Sequence, residues 1–268
     1  MKFSIVTISF NQREFLETAI RSVIGQHGVE IEYIIVDAGS TDGSRDIIEA
    51  YRPHFAHMVL EKDAGPADGL NKGFALATGD IYSFLNSDDT LEPGALAEVA
   101  AWFEQHRDIE VVSGHGWITD RHGSRLRRIW SEPFERLPVA YGASIRVQPS
   151  TFIRRRAYLA TAGFNAQNRS NWDSELMVDL HLSGARFGMM DIFLGCYRLH
   201  EVSITNSGAL EAEMEAWSAR RFARLMGREP IRMDRFIRLA FRAAKHARRP
   251  AALFERLRYG PVYRRGIR

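Results

Sequence analysis

The segment Asn86-Ser87-Asp88-Asp89 places an amide, a hydroxyl and two adjacent carboxylates directly after the apolar run Ile81-Tyr82-Ser83-Phe84-Leu85. Hard divalent cations take oxygen ligands of this kind. The same carboxylates also suit a cap for the helix that Pro93 and the run Ala95 to Phe103 announce. A second acidic group, Asn171-Trp172-Asp173-Ser174-Glu175-Leu176, opens a helical pattern that ends at Ser183-Gly184. Asp173 there suits the cap of its own helix.

The first hundred residues supply the elements that would position the first group. Phe3 to Ile8 is an apolar run that ends in Ser9-Phe10-Asn11, followed by Phe15, Leu16, Ala19, Ile20, Val23 and Ile24 at helical spacing, with Asn11 and Glu14 as a capping pair. Ile31 to Val36 ends in Asp37-Ala38-Gly39-Ser40-Thr41-Asp42-Gly43, whose glycines permit positive-φ turns. Met58 to Leu60 leads through Glu61-Lys62-Asp63-Ala64-Gly65-Pro66-Ala67-Asp68 into a helix from about Gly69 to Ala77. Strands that alternate with helices pair in parallel through right-handed crossovers, so all four polar ends fall on one edge of one sheet. Turns alone account for Gly, Asp, Asn and Ser in each loop. They account less well for carboxylates gathered on that edge, where a cation beside a phosphate-bearing ligand would balance the charge.

These stretches resemble the family 2 glycosyltransferases of GT-A fold. The resemblance is carried by Val6 to Asn11, Val36 to Gly43, Asp68-Gly69-Leu70-Asn71-Lys72-Gly73, Ala77-Thr78-Gly79-Asp80 and Leu85 to Asp89, and it covers roughly residues 3 to 205. It implies a Rossmann-like, mostly parallel α/β sheet flanked by helices, and an inverting transfer of sugar from a nucleotide diphosphate sugar, by default a UDP-sugar, to an acceptor hydroxyl. It implies that Ile8, Ser9, Asn11 and Gly39 lie beside the nucleotide, that Asp37 accepts a hydrogen bond from the base, and that Asp68 belongs to the donor site while Asn71 and Lys72 orient its helix. Asn86-Ser87-Asp88 stands where the family carries Asp-any-Asp around Mn²⁺ or Mg²⁺. With Asn86 in the first place, Asp88 is the expected metal ligand, with Asp89 or His200 as further ones, and Asn86 turns to the sugar or ribose. Alternate residues of an extended chain point the same way, so Asn86 and Asp88 are expected to share a ligand. The form Trp172-Asp173-Ser174-Glu175-Leu176 puts Asp173 in the role of base. Tyr197 to Ser203 is similar to the family's closing segment, in which Arg198 or His200 approaches the diphosphate or makes local hydrogen bonds.

Between these motifs, Val111 to Ile118 reads as a strand that turns back at Asp120 to Ser124 into Arg125 to Trp130, and Gln148 to Arg154 precedes the helix bearing Asp173. Trp117, Trp130 and Trp172 are either stacking faces for a sugar or core residues.

The chain of 268 residues, 45% hydrophobic, suffices for one large domain or a domain plus an appendage. The expected division is residues 1–208, with a nucleotide-sugar half over 1–100 and an acceptor half over 101–208, and a helical tail over 209–268. One cysteine, Cys196, excludes an internal disulfide and fits a reducing compartment. Without an apolar run of about 18 residues or a secretory leader, the expected place is the cytoplasm. Residues 209–268 hold 16 Lys plus Arg against 6 Asp plus Glu, whereas residues 1–208 hold 20 against 27. In the tail, Met233, Phe236, Ile237, Ala240, Phe241 and Ala244 form one helical stripe, and Arg235, Arg238, Arg242, Lys245 and Arg249 form another. Such a helix suits the anionic inner face of a membrane, where it would bring the site to a saccharide or lipid-linked acceptor. The other use of its apolar stripe is packing on the main domain or on a second copy in a homo-oligomer. A nucleic-acid partner would use the basic tail but leave the acidic edge unexplained, and a dinucleotide oxidoreductase lacks its Gly-x-Gly-x-x-Gly turn. A non-catalytic nucleotide- or carbohydrate-binding module would keep the strand-end loops and have no need of Asp173.

Overall fold

Val, Ile, Phe and Thr dominate the segments that extend in the computed structural model, which describes residues 1–200 and 211–260. Strands β1 (Lys2–Ser9), β2 (Glu30–Asp37), β3 (His57–Val59) and β4 (Ile81–Asn86) lie in the order β3-β2-β1-β4, every neighbouring pair parallel. The register sets Ser9 opposite Asp37, and Ile8 opposite both Val36 and Asn86. All four carboxyl ends therefore face one crevice, as the alternation of strands and helices predicts.

Alternate residues of each strand serve two helical layers. Phe3, Ile5, Tyr33 and Ile35 face Leu16 and Ile20 of α1 (Arg13–Ile24), Ile48 of α2 (Ser44–Ala50) and Val99 and Phe103 of α4 (Ala95–Gln105). Val6, Ile34 and Val36 face Leu70 and Phe74 of α3 (Pro66–Leu76). A Cβ on Gly73 would come within 2.5 Å of Val6 Cγ1, so glycine there lets α3 lie close on the sheet. This helix starts three residues earlier than its spacing predicts, because Gly65, at φ 123°, turns the chain and Pro66 takes the first helical position.

The second half extends the same sheet. After β5 (Thr90–Leu91) and α4, strand β6 (Val111–Thr119) returns as β7 (Arg125–Ile129) in the expected hairpin. Beyond α5 (Arg136–Ala140), β8 (Thr151–Arg154) pairs antiparallel with both β4 and β6 and joins the halves. Helices α6 (Arg155–Leu159) and α7 (Trp172–Leu182) cover the α3 side, and β9 (Phe187–Arg198) runs parallel to β6. The sheet is mostly parallel in its nucleotide-facing half and mixed beyond β4.

The basic tail begins with α8 (Glu211–Met226), whose Trp217, Phe222 and Leu225 share a buried cluster with Val139, Tyr141 and Val178. Helix α9 (Asp234–Arg248) is held by Asp234, which accepts from Tyr141 Oη at 2.8 Å and from both terminal nitrogens of Arg228 at 2.7 Å. Lys245 pairs with Glu132 at 3.0 Å, and Glu255 of α10 (Pro250–Tyr259) pairs with Arg128. Of the expected apolar stripe only Phe241 packs inward, stacked on Tyr141, while Met233, Phe236, Ile237 and also Leu239 are exposed. Among the described residues no helix is long and apolar enough to cross a membrane.

Glu32 ties the parallel core together. Its carboxylate accepts from Ser4 Oγ, Lys2 Nζ, and the backbone and hydroxyl of Thr78 in the loop before β4. Burial alone would raise its pKa, yet these donors outweigh burial and pull it from 4.5 to about 2. A folded pKa below the unfolded one stabilises the fold fully above the unfolded value, and that contribution is lost as pH falls through the folded value. Stability against urea should therefore fall as pH is lowered from about 4.5 to about 2 in the wild type, with a shallower slope in Glu32→Gln. An identical slope in the variant would contradict this role.

Candidate functional site

Asp37 lies at the end of β2 with no exposed surface and four hydrogen bonds to its carboxylate. Oδ1 accepts from the Gly39 and Ser40 amides and from Arg45 Nε at 2.8 Å, and Oδ2 accepts from Ser40 Oγ. Burial pushes its pKa up, but Ser40, Arg45 and the amides together bring it below the usual carboxylate range. The bend needs Gly39 at φ 103°. What the geometry makes of Asp37 is the anchor of the loop after β2, with no carboxylate surface open to a base.

Asn11 joins this loop to the end of β1. Its amide donates to Ser40 Oγ and its Oδ1 accepts from the Thr41 amide, both at 2.9 Å. It sits at φ 53°, a left-handed conformation that Asn tolerates. The expected capping pair with Glu14 does not form: Gln12 precedes α1 without a side-chain cap, and Glu14 pairs with Arg121 instead. Beside Asn11, the Ser9 hydroxyl is buried with no hydrogen-bond partner among the described residues. A buried hydroxyl left unsatisfied at a crevice is one that a ligand completes.

The third strand end adds a carboxylate that motif spacing did not single out. Asp63 Oδ1 accepts from the Gly65 amide, and Oδ2 lies 2.7 Å from where a Cβ on Gly69 would stand, next to Ile8. Burial raises its pKa, and the charges of Asp68 and Asp37 raise it further. Asp68 caps the loop by accepting from the Ala64 amide at 2.9 Å. Ile8, Asp37, Asp63 and Asp68 thus share one side of the crevice. The signal for Asp63 was present in its polar strand-end loop, but Asp68 in the more specific motif drew the assignment. Asn71 and Lys72 orient α3 as expected: Asn71 bonds both backbone groups of Phe164, and Lys72 reaches Lys62 O and Glu61.

At the end of β4 the chain does not stay extended. The Asp89 amide bonds back to Asn86 O, closing a turn that separates Asn86 from Asp88. The expectation that the two point the same way is corrected accordingly. Asn86 Nδ2 donates to Asp89 Oδ2 at 3.2 Å and to Gln148 Oε1 at 3.3 Å, while Gln148 is itself held by Phe84 O. Asp89 is 1% exposed and accepts from the Arg198 amide at 3.0 Å; burial, then the Asp88 charge, push its pKa well up. It fastens β9 to β4 and is withdrawn as a metal ligand. Neither Asp88 nor Asp89 caps α4, whose first turn follows Gly94.

Asp88 points elsewhere, with Oδ2 at 2.8 Å from His200 Nε2 and the imidazole set against Phe15. An oxygen and an imidazole nitrogen that meet at a partly exposed point fit Mn²⁺ or Mg²⁺ as two protein ligands, with the remaining positions open to phosphate oxygens. Among the described residues no group of three or more His, Cys, Asp or Glu side chains is placed to hold a cation, so such a ligand would have to complete the sphere. Arg198 makes local hydrogen bonds beside this point: its guanidinium donates to the backbone oxygens of Asp88, Asp120 and Arg121 and lies over the Phe15 ring at 5.1 Å. A cavity of about 620 Å³ opens beside the pair, lined by Asn11, Phe15, Asp42, Arg121 and His200 among others.

Asp173 lies in the first turn of α7, two residues after the position before the helix, which Asn171 fills, so it is not the cap. Trp172 packs on Phe84 at 5.2 Å and on Phe164 at 5.7 Å, which seats this turn against the end of β4. Burial raises the Asp173 pKa, making it a stronger base, and Arg146 acts in the opposite sense. Trp172 is core, and Trp117 and Trp130 pack on Phe193.

The chain belongs to glycosyl transferase family 2, which matches residues 4–161. An uncharacterized glycosyltransferase of Nostoc sp. is 37% identical over 123 residues, 45% of this chain and 38% of the relative. A PGL/p-HBAD biosynthesis glycosyltransferase of Mycobacterium bovis is 34% identical over 177 residues, 64% of this chain and 67% of that one. The chain spans less than half the length of the first of these relatives. Among solved structures, Staphylococcus aureus TarS 1-349 in complex with UDP-GlcNAc superposes with a TM-score of 0.66 at 18% identity, over 97% of this chain and 73% of that one. The mannosyltransferase PcManGT from Pyrobaculum calidifontis, in complex with GDP-Man and Mn²⁺, does so at 0.64 and 16%, over 97% and 76%. The fold is the GT-A arrangement.

Proposed function

We propose that this protein is an inverting glycosyltransferase that moves a sugar from a nucleoside diphosphate sugar, foremost a UDP-sugar, to an acceptor hydroxyl. The observation that carries it is the set of four parallel strand ends, which carries an unsatisfied Ser9 hydroxyl, the partly accessible carboxylates of Asp63 and Asp68, and the Asp88–His200 pair. UDP-GlcNAc in TarS and GDP-Man with Mn²⁺ in PcManGT support a nucleotide-sugar on this fold. The relative named for PGL/p-HBAD biosynthesis supports a role in glycoconjugate or cell-surface polysaccharide synthesis.

In this proposal Ser9, Asn11 and Asp63 bind the nucleoside, the first two through a loop that Asp37 and Gly39 hold, and Asn86 orients the sugar from its seat on Gln148. Asp88 and His200 would hold Mn²⁺ or Mg²⁺, which when bound supplies positive charge to the leaving diphosphate. Asp173 takes the proton from the acceptor hydroxyl as its oxygen attacks the anomeric carbon, and the nucleoside diphosphate departs from the opposite face. Its raised pKa and fixed helical seat suit the task, since a general base must lie within roughly 2.6 to 3.2 Å of the hydroxyl. Asp173→Asn should lower transfer by about 10² to 10⁴-fold while calorimetry finds UDP affinity unchanged. Undiminished transfer would remove Asp173 from the mechanism, and retained UDP binding with no transfer by the wild type to any acceptor would favour a non-catalytic binding module.

For the tail we infer contact with an anionic membrane surface. Helix α9 turns Lys245 and Arg249 toward the body and leaves Met233, Phe236, Ile237 and Leu239 outward, with Arg232 and Arg235 exposed alongside. A basic, apolar face of this kind suits the interface of an anionic bilayer. Wild-type protein should sediment with phosphatidylglycerol vesicles and release in high salt, and Phe236→Asp with Leu239→Asp should stay in solution. Equal sedimentation of the variant, or a stable dimer that the double substitution disrupts, would overturn the membrane assignment.

A further inference from the structure

Three arginines form a chain of like charge that begins within electrostatic reach of Asp173: Arg146, then Arg221, both partly buried, then Arg238, which is exposed. Arg146 lies over the Phe134 ring at 4.8 Å, and among the described residues its guanidinium donates to Ser144 Oγ at a long 3.5 Å. The Nε of Arg221, on α8, is buried with no hydrogen-bond partner among the described residues. Arg221 Nη2 and Arg238 Nη2 converge on the open face of Gly142, at 2.9 Å and 4.0 Å from the point a Cβ would occupy. None of the three forms an ion pair within 4.0 Å among the described residues, and the nearby acids are committed elsewhere. Glu132 serves Lys245, Glu175 and Asp179 serve Arg224, and Asp234 serves Arg228.

The electrostatics follow from that placement. Burial lowers the pKa of Arg146 to about 10, with Arg221 acting in the same sense and Asp173 and Glu132 against it. Burial and the Arg238 charge lower Arg221 to about 10 as well. Partly buried like charges that form no close ion pair are costly. An anion that accepts from two guanidinium groups at once recovers that cost, and a phosphate ester has the oxygens to do so. Arg146 acts electrostatically on Asp173, so an anion held here would stand beside the candidate base.

Resting on the proposed transferase role, we propose that Arg146, Arg221 and Arg238 form the binding subsite for a phosphate ester carried by the acceptor, whose hydroxyl is thereby directed to Asp173. The subsite lies on the docked tail helices, with Arg221 on α8 and Arg238 on α9. It ties the acceptor's anionic group to the same part of the chain whose outward face is apolar. A soluble phosphate ester and a lipid headgroup share this chemistry.

The test uses full-length protein saturated with UDP and Mn²⁺, so that the donor site is filled. Glycerol 1-phosphate is titrated by calorimetry, and phosphatidic acid vesicles are compared with phosphatidylcholine vesicles by sedimentation. Arg221→Gln should weaken whichever probe binds by about ten-fold or more, and Arg221→Lys by less, because lysine keeps the charge and loses the fork. Binding of glycerol 1-phosphate lost in Arg221→Gln supports the subsite with a soluble ester. Binding confined to phosphatidic acid vesicles and lost in Arg221→Gln supports it with a lipid headgroup. Binding of neither probe, or equal binding by wild type, Arg221→Gln and Arg146→Gln, overturns it. Thermal melts within a few degrees of wild type identify which variants are folded, and Arg238→Gln, at the exposed rim, provides the comparison should Arg221→Gln not fold. Failure to bind UDP in a preliminary titration would count against the donor site, while glycerol 1-phosphate binding sensitive to Arg221 would still stand.

Discussion

Parallel pairing of β1 with both β2 and β4 is the constraint on which the molecule turns. Each parallel neighbour must be reached by a crossover, so α1, α2 and α3 cover this part of the sheet and each of β1 to β4 delivers its carboxyl end to the same edge. Residues far apart in sequence become neighbours by register alone: Ser9 lies opposite Asp37, and Ile8 lies opposite Asn86. The crevice is therefore a property of the topology before any side chain contributes to it.

The carboxylates that this topology gathers are then sorted by their partners. Asp37 and Asp89 are spent on structure, one pinning the loop after β2 and the other pinning β9 to β4. Asp63, Asp68 and Asp88 keep a share of accessible surface in the crevice. Two adjacent aspartates so diverge in use: Asp89 turns inward to a backbone amide, and Asp88 turns out to His200. In the second half Trp172, the neighbour of Asp173, packs on Phe84 of β4, and Arg146 acts electrostatically both on Asp173 and on Arg221 of the tail.

The strands, the crossovers and the convergence were legible because short continuous apolar runs closed by polar loops alternate with period-3.6 stripes. The five motifs carried the family in the same way. Side-chain direction within a loop was less legible. Whether Asn86 and Asp88 point together depends on a turn closed by the Asp89 amide, and a strand-based rule of alternation fails once the strand stops at Asn86. The resemblance gives Asp37 a hydrogen bond from the base, whereas Ser40 and Arg45 engage it through the path of a loop that residue types alone do not define. The tail illustrates the same limit: helical spacing found two stripes on α9, but not that much of the apolar one would face outward while Lys245 and Arg249 face the body.

A crystal structure of the protein with UDP and Mn²⁺, with anomalous scattering used to locate the metal, tests the central claim most directly. The account predicts the uridine between Ser9 and Asp63, with Ser9 Oγ newly hydrogen-bonded, and manganese density at Asp88 and His200 against the diphosphate. Nucleotide bound away from the ends of β1, β2 and β4, or manganese on carboxylates that exclude Asp88, would contradict it.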